Sequence, residues 1–255
     1  MIKLHTLALK VVLVSSLVFL IAGGSFASAS SDKHKQGGGY QLTRVELKAA
    51  EQRLSDMGYP TGPVDGKIDG VTRNALVLFQ KWERRRVTGR LNRDGYEAIM
   101  DADSPRARDA GYPHVEVDLD RQLLLLIGED GAIRRMLPVS TGSNKHYHEK
   151  NMSGLAYTPR GRFRIYAKLS GWRKSPLGLL YYPDYFSDGL AIHGNPSVPS
   201  SPQSHGCIRI PMSAAAGLSR LLPVGTIVLV YDKESFVSAR DWAETDRQRQ
   251  EAIIR

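Results

Sequence analysis

The residues best suited to covalent chemistry lie in two neighbouring segments. The first is Ile192-His193-Gly194-Asn195-Pro196; the second is Ser204-His205-Gly206-Cys207-Ile208-Arg209-Ile210-Pro211. Cys207 is the single cysteine of the chain, so it cannot form an intramolecular disulfide. A cysteine attacks carbonyl carbon as its thiolate, which requires an imidazole or a positive charge nearby. His193, His205 and Arg209 offer both. If Cys207–Ile210 forms a strand, Cys207 and Arg209 share one face while Ile208 and Ile210 enter the core. A second apolar strand ending at His193 can return beside Cys207 across the Pro- and Ser-rich loop between them. Gly206 lets the backbone approach a ligand closely, so the amides around Gly206 and Cys207 are the expected hole for an oxyanion. Each observation alone has a plainer reading: a strand-end histidine as a structural hydrogen-bonder, a buried cysteine as a small hydrophobe. Together they carry more weight: a single cysteine flanked by His, Gly and Arg and preceded by a second His-Gly pair suits nucleophilic attack on a carbonyl.

Two segments can be held side by side by a sheet, and the second half of the chain predicts one. Val115, Val117 and Leu119 alternate with charged residues, Leu123, Leu125 and Ile127 continue the two-residue period, and Asp130-Gly131 predicts a hairpin into Ile133–Val139. Further strands are expected at Gly161–Lys168, Leu190–His193, Cys207–Ile210 and Thr226–Tyr231. One helix is expected there, opened by Pro211 and running over Met212–Leu222. The first half reads differently. Thr43-Arg44-Val45-Glu46 has the form of a capping box, ahead of an apolar face of Val45, Ala49, Leu54 and Met57 that Gly58 ends. A second helix is predicted over Val71–Arg85 from Ala75, Leu78, Phe79 and Trp82, and a third from an Asn92 cap, burying Tyr96 and Ile99.

The chain has 255 residues, 42% hydrophobic and 24% charged, which excludes both a disordered polymer and a membrane bundle and leaves room for a small and a medium domain. A surplus of 35 Lys and Arg over 26 Asp and Glu, net +9, suits an anionic partner (nucleic acid, an anionic membrane face, an acidic wall polymer) or simple solubility. Lys3 and Lys10, the apolar run Val11–Ala22 and the small residues Ala27-Ser28-Ala29 have the order of a secretory signal cleaved after Ala29. The apolar run is shorter than the ~20 residues of a spanning helix. The expected organisation is a signal over 1–29, a flexible linker over 30–42, a helical domain over 43–103, a linker over 104–112, a mostly β domain over 113–232 and a charged tail over 233–255. Three other features invite plainer readings. His146-Tyr147-His148-Glu149 is expected in a solvated or substrate-facing loop rather than on a metal, Arg84-Arg85-Arg86 at a solvated helix end, and Trp172, Tyr181, Tyr182, Tyr185 and Phe186 either along a cleft or in the core.

Residues 113–232 resemble an L,D-transpeptidase catalytic domain of the YkuD type. The resemblance rests on the His193-Gly194 pair, Ser204-His205-Gly206-Cys207, Val139-Ser140-Thr141-Gly142, Thr158-Pro159-Arg160-Gly161-Arg162-Phe163 and Val224-Gly225-Thr226, in the family's order. Residues 43–103 resemble a small helical peptidoglycan-binding domain through Leu54, Gly58-Tyr59, Val64-Asp65-Gly66, Thr72-Arg73-Asn74-Ala75-Leu76 and Phe79-Gln80. The resemblance implies a three-helix bundle followed by a β-sandwich-like mixed sheet. It implies Cys207 as nucleophile and His193 as general base, with the Gly194 carbonyl orienting the imidazole. His205 would support substrate binding or the oxyanion, and Arg209, where many relatives carry Asn, a substrate carboxylate or the thiolate. Ser204 and Gly206 complete the supporting set. No metal, cofactor, nucleic acid or lasting membrane span is implied. The partner would be peptidoglycan outside the cytoplasmic membrane of a bacterium, with tetrapeptide stems as donors and a stem side-chain amine as acceptor of a third-to-third cross-link. Water in place of the amine would make an L,D-carboxypeptidase, and a non-catalytic wall-binding protein is the farther alternative.

Overall fold

A computed structural model describes residues 41–149 and 151–235. The expected signal, most of the first linker and most of the charged tail lie outside them. Among the described residues no helix is long and apolar enough to cross a membrane.

Three helices come first: α1 (Arg44–Asp56), α2 (Gly70–Trp82) and α3 (Arg93–Asp101). Local chemistry sets their starts. The Thr43 hydroxyl accepts from the Glu46 N–H while the Glu46 carboxylate accepts from the Thr43 N–H, and Asp69 and Asn92 cap α2 and α3 through Thr72 N–H and Gly95 N–H. Two expectations fail here. Val45 is 78% exposed, because the inward face of α1 is Ala50, Glu51 and Leu54. Glu51 is buried to accept from Gly66 N–H and the Thr72 hydroxyl, fastening the turn-rich segment between α1 and α2. The second helix stops at Trp82 rather than Arg85, since Arg84 adopts a positive φ of 53°.

Beyond these helices the described residues form two mixed five-stranded sheets, a two-stranded hairpin and one further helix. The first sheet has the order β3 (Ile133–Pro138), β2 (Leu123–Ile127), β1 (His114–Asp118), β12 (Ile227–Tyr231), β6 (Gly161–Arg164). The second has the order β11 (Ile208–Pro211), β10 (Leu190–Asn195), β9 (Gly178–Ser187), β7 (Ala167–Lys168), with β8 (Trp172–Ser175) also on β9. Helix α4 (Met212–Leu221) follows β11 directly. The main core lies between the sheets, with Val115, Val117, Leu124, Val228 and Val230 meeting Phe186, Ile192, Ile208, Ile210 and Leu218.

The first sheet is covered on its other face as well. Leu123, Leu125, Ile127 and Met136 form one buried cluster with Ala50, Leu54, Tyr59, Ala75, Leu76, Phe79 and Ile99 of the helical segment. This explains why β1 is buried along its whole length, where alternation with charged residues predicted a half-exposed strand. Glu116 is satisfied in place: its carboxylate accepts from the backbone of Arg108 and Asp109 and from the Tyr231 hydroxyl, with His114 Nε2 at 3.2 Å. The segment expected as a linker over 104–112 is thus fastened to the sheet. Arg121 adds a bond to the Trp82 carbonyl at 2.8 Å and lies over the indole ring.

Candidate active site

β10 and β11 pair in parallel, with Ile192 opposite Ile208, His193 opposite Arg209 and Gly194 opposite Ile210. The three isoleucines are buried in the core, so His193 and Arg209 face the other way. Cys207, immediately before β11 and two residues from Arg209, joins them, and the Ala191 N–H donates to its Sγ at 3.5 Å. Strand spacing and rise put the Cα atoms of Cys207 and His193 ~8 Å apart on the diagonal, within reach of two side chains directed at one space. Both line a cleft of about 400 Å³ together with Ser204, His205 and Arg209.

The turn before Cys207 is held by hydroxyls. Ser204, buried, donates to the Cys207 carbonyl at 2.5 Å and accepts from the Gly206 N–H at 3.0 Å. The Thr158 hydroxyl donates to the Gly206 carbonyl at 2.7 Å and accepts from the Gly142 N–H. Ser140 and Arg209 exchange backbone bonds across the free edge of β11, and the Ser204 N–H donates to the Thr141 carbonyl. The Gly206 N–H is thus engaged by the Ser204 hydroxyl rather than directed at the cleft in this structure. Gly206 itself is irreplaceable on steric grounds: it has φ 140°, and a Cβ there would lie 2.7 Å from the Tyr157 carbonyl oxygen. Gly194 is closed in likewise, since a Cβ there would meet Ala215 of α4 at 2.7 Å.

The His193 ring is oriented by its own strand. Nδ1 lies 3.0 Å from the Gly194 carbonyl, an oxygen that can only accept, so Nδ1 carries the proton and Nε2 presents a lone pair. Burial lowers the imidazole pKa to about 4, with Arg209 pushing the same way and the Gly194 bond opposing. Burial raises the Cys207 thiol, against smaller lowering effects of the Ala191 N–H and Arg209. Both shifts run in the direction that favours the uncharged thiol and the uncharged imidazole over a thiolate–imidazolium ion pair.

His205 is placed by a feature that sequence reading missed. His146–Glu149 is a strand, β4, paired with β5 (Met152–Leu155), where a loop was expected. From it Glu149 Oε1 lies 3.1 Å from His205 Nε2, and Tyr147 packs edge-on against the His205 ring at 4.7 Å. Of the aromatic group considered for the cleft, Tyr185 lines it, Phe186 is buried in the core and Trp172 packs at a tilt against Tyr181. Arg84 and Arg85 are not merely solvated: they pair with Asp120 and Asp94. No cluster of potential metal ligands occurs among the described residues.

Comparison with known proteins places this geometry. Residues 112–230 match YkuD, the L,D-transpeptidase catalytic domain, and residues 43–99 match a peptidoglycan binding domain. A crystal structure of an L,D-transpeptidase from Xylanimonas cellulosilytica is 35% identical, with TM-score 0.65, over 76% of this chain and 95% of that one. An L,D-transpeptidase from Stackebrandtia nassauensis is 23% identical, with TM-score 0.46, over 72% of this chain and 90% of that one. A search of curated proteins gives no match. With that identity to the Xylanimonas protein over nearly its whole length, and the two domains in this order, the chain belongs to the L,D-transpeptidase family.

Proposed function

We propose that the chain cross-links peptidoglycan in the cell wall or periplasm by acyl transfer through a Cys207 thioester, with His193 as the base. The observation that carries this reading is the shared face of β10 and β11, which directs the single cysteine and a tautomer-fixed imidazole into one cleft. Cys207 Sγ attacks the carbonyl of the third stem residue as its proton passes to His193 Nε2. The imidazolium then protonates the departing D-alanine amine, leaving a thioester. A side-chain amine of a second stem attacks that thioester, and its proton returns through His193 to the sulfur. A proton shuttled within a neutral pair suits a buried site, where a resting ion pair would be costly to desolvate.

Arg209, charged and half-buried at the cleft, supports a substrate carboxylate or the sulfur as it gains charge. His205 supports the substrate from the other side of Cys207, and Ser204, Gly206 and Gly194 act by holding the turn and the ring. The helical segment over 43–103 supplies wall binding, while residues 113–232 supply the chemistry.

The test is incubation of the purified chain with tetrapeptide muropeptides, beside Cys207→Ala and His193→Ala, read by mass spectrometry. Cross-linked dimers and loss of D-alanine are expected, abolished in Cys207→Ala. Tripeptides without dimers would make the protein a carboxypeptidase. Dimers formed equally well by Cys207→Ala would overturn the assignment.

A further inference from the structure

The proposed reaction leaves one proton without an owner. An amine acceptor arrives as an ammonium, since an alkyl amine has a pKa of ~10.4, and it must lose a proton before it can attack. His193 cannot take that proton, because it must remain neutral to accept the second one as the amide forms.

We propose that His205 and Glu149 form a second base pair that deprotonates the incoming ammonium and so commits the thioester to amine rather than water; this rests on the reading above. His205 lines the cleft with Cys207, and its Nε2 lies 3.1 Å from Glu149 Oε1. The carboxylate can only accept, so Nε2 carries the proton and Nδ1 is left with a lone pair. Among the described residues Nδ1 has no hydrogen-bond partner. A carboxylate that fixes the tautomer of an imidazole and stabilises its protonated form is the arrangement of a working general base. The charged and titratable groups at the cleft are Glu149 and Tyr147 from β4, Tyr185 of β9 and Asp188 just beyond it, His193 from β10, and Cys207 and Arg209 at β11. Along the chain Arg209 and His205 flank Cys207 on opposite sides, one a cation and the other backed by an anion.

The protons balance. The ammonium gives one proton to His205 Nδ1, forming an imidazolium against Glu149, and this proton leaves to solvent. The free amine attacks the thioester carbonyl, and its surplus proton passes to His193 Nε2. The C–S bond breaks, the sulfur takes the proton from His193, and the products are the amide and the free thiol.

Dimer and tripeptide come from the same thioester, so their ratio is blind to any loss in acylation. With a tetrapeptide donor and a tripeptide acceptor bearing a free side-chain amine, Glu149→Gln is expected to lower the dimer-to-tripeptide ratio about tenfold or more at pH 7. The ratio should recover as pH rises and the amine deprotonates unaided, and Glu149→Asp should keep most of it. A merely structural pin on the β4–β5 hairpin would not make the defect depend on the ionisation of the acceptor. A Glu149→Gln ratio within twofold of the parent from pH 6 to 9 overturns the inference and leaves the Cys207 reading intact. A parent chain that yields only tripeptide overturns the inference and makes the enzyme a hydrolase; one that forms no thioester overturns both.

Discussion

Gly206 and Gly178 form a matched pair that separates backbone strain from steric closure of the nucleophile turn. Their φ angles are 140° and 139°, both in the region that L side chains rarely adopt. A Cβ on Gly178 would meet nothing within 4 Å, whereas one on Gly206 would sit 2.7 Å from the Tyr157 carbonyl oxygen and 2.9 Å from Leu190 Cδ2. Gly178→Ala therefore carries only the conformational cost, ~1–3 kcal/mol. Gly206→Ala adds an overlap with a backbone oxygen that cannot swing away, another ~1–3 kcal/mol. At ~2–4 °C per kcal/mol for a chain of this size, the Gly206 variant should melt several degrees below the Gly178 variant. The displaced turn should also move the sulfur, so acylation of Cys207 by a carbapenem, followed by intact mass, should slow in Gly206→Ala well beyond any effect in Gly178→Ala. Equal melting temperatures and equal acylation rates would refute the argument that close packing under Gly206 holds the nucleophile.

Two pH experiments follow from buried bases. His193 has its pKa depressed from 6.5 to about 4, so the unfolded chain binds a proton first. Stability held above pH 6.5 should be lost as pH falls towards 4, by roughly 3 kcal/mol, and His193→Gln should lack that component in urea titrations at pH 7 and 4.5. Lys81, buried with its Nζ on the Gln122 and Ser200 carbonyls at 3.3 and 3.1 Å, is depressed from 10.5 to about 8. The folded chain therefore carries the cost of a buried cation below pH 8, relieved between pH 8 and 10.5. Parent stability should gain on Lys81→Met over that window by roughly 2–3 kcal/mol, and a flat difference between pH 7 and 10 would contradict it.

What could be read from the sequence was local. The Thr43–Glu46 box and the Asn92 cap span three residues each and form as spelled. The side-chain alternation from Cys207 to Ile210 gave the face of the site, because strand periodicity needs no knowledge of neighbours. The run Leu123–Ile127 held a signal that went unused. Leu124 and Leu126 fill the alternate positions, and a strand apolar at every position is buried on both faces. β9 was missed because Pro183 interrupts it. The proline sits between the stretch paired with β8 and the stretch paired with β7, where no ladder donor is needed, next to a bulge towards β10. Glu149 and Thr158 were both singled out by their motifs, but their contacts with His205 and Gly206 were out of reach for another reason. Their partners are 56 and 48 residues away, and no local spacing encodes such contacts.

The leucine-lined outer wall of β2 and β3 also constrains how this protein can be cut or recombined. Removing the three helices would lay Leu123, Leu125, Ile127 and Met136 open to water as one continuous greasy strip, an invitation to self-association. The helical domain is thus a lid on the hydrophobic underside of the catalytic domain, and a graft that swaps it for an unrelated unit must bring its own matching apolar sole.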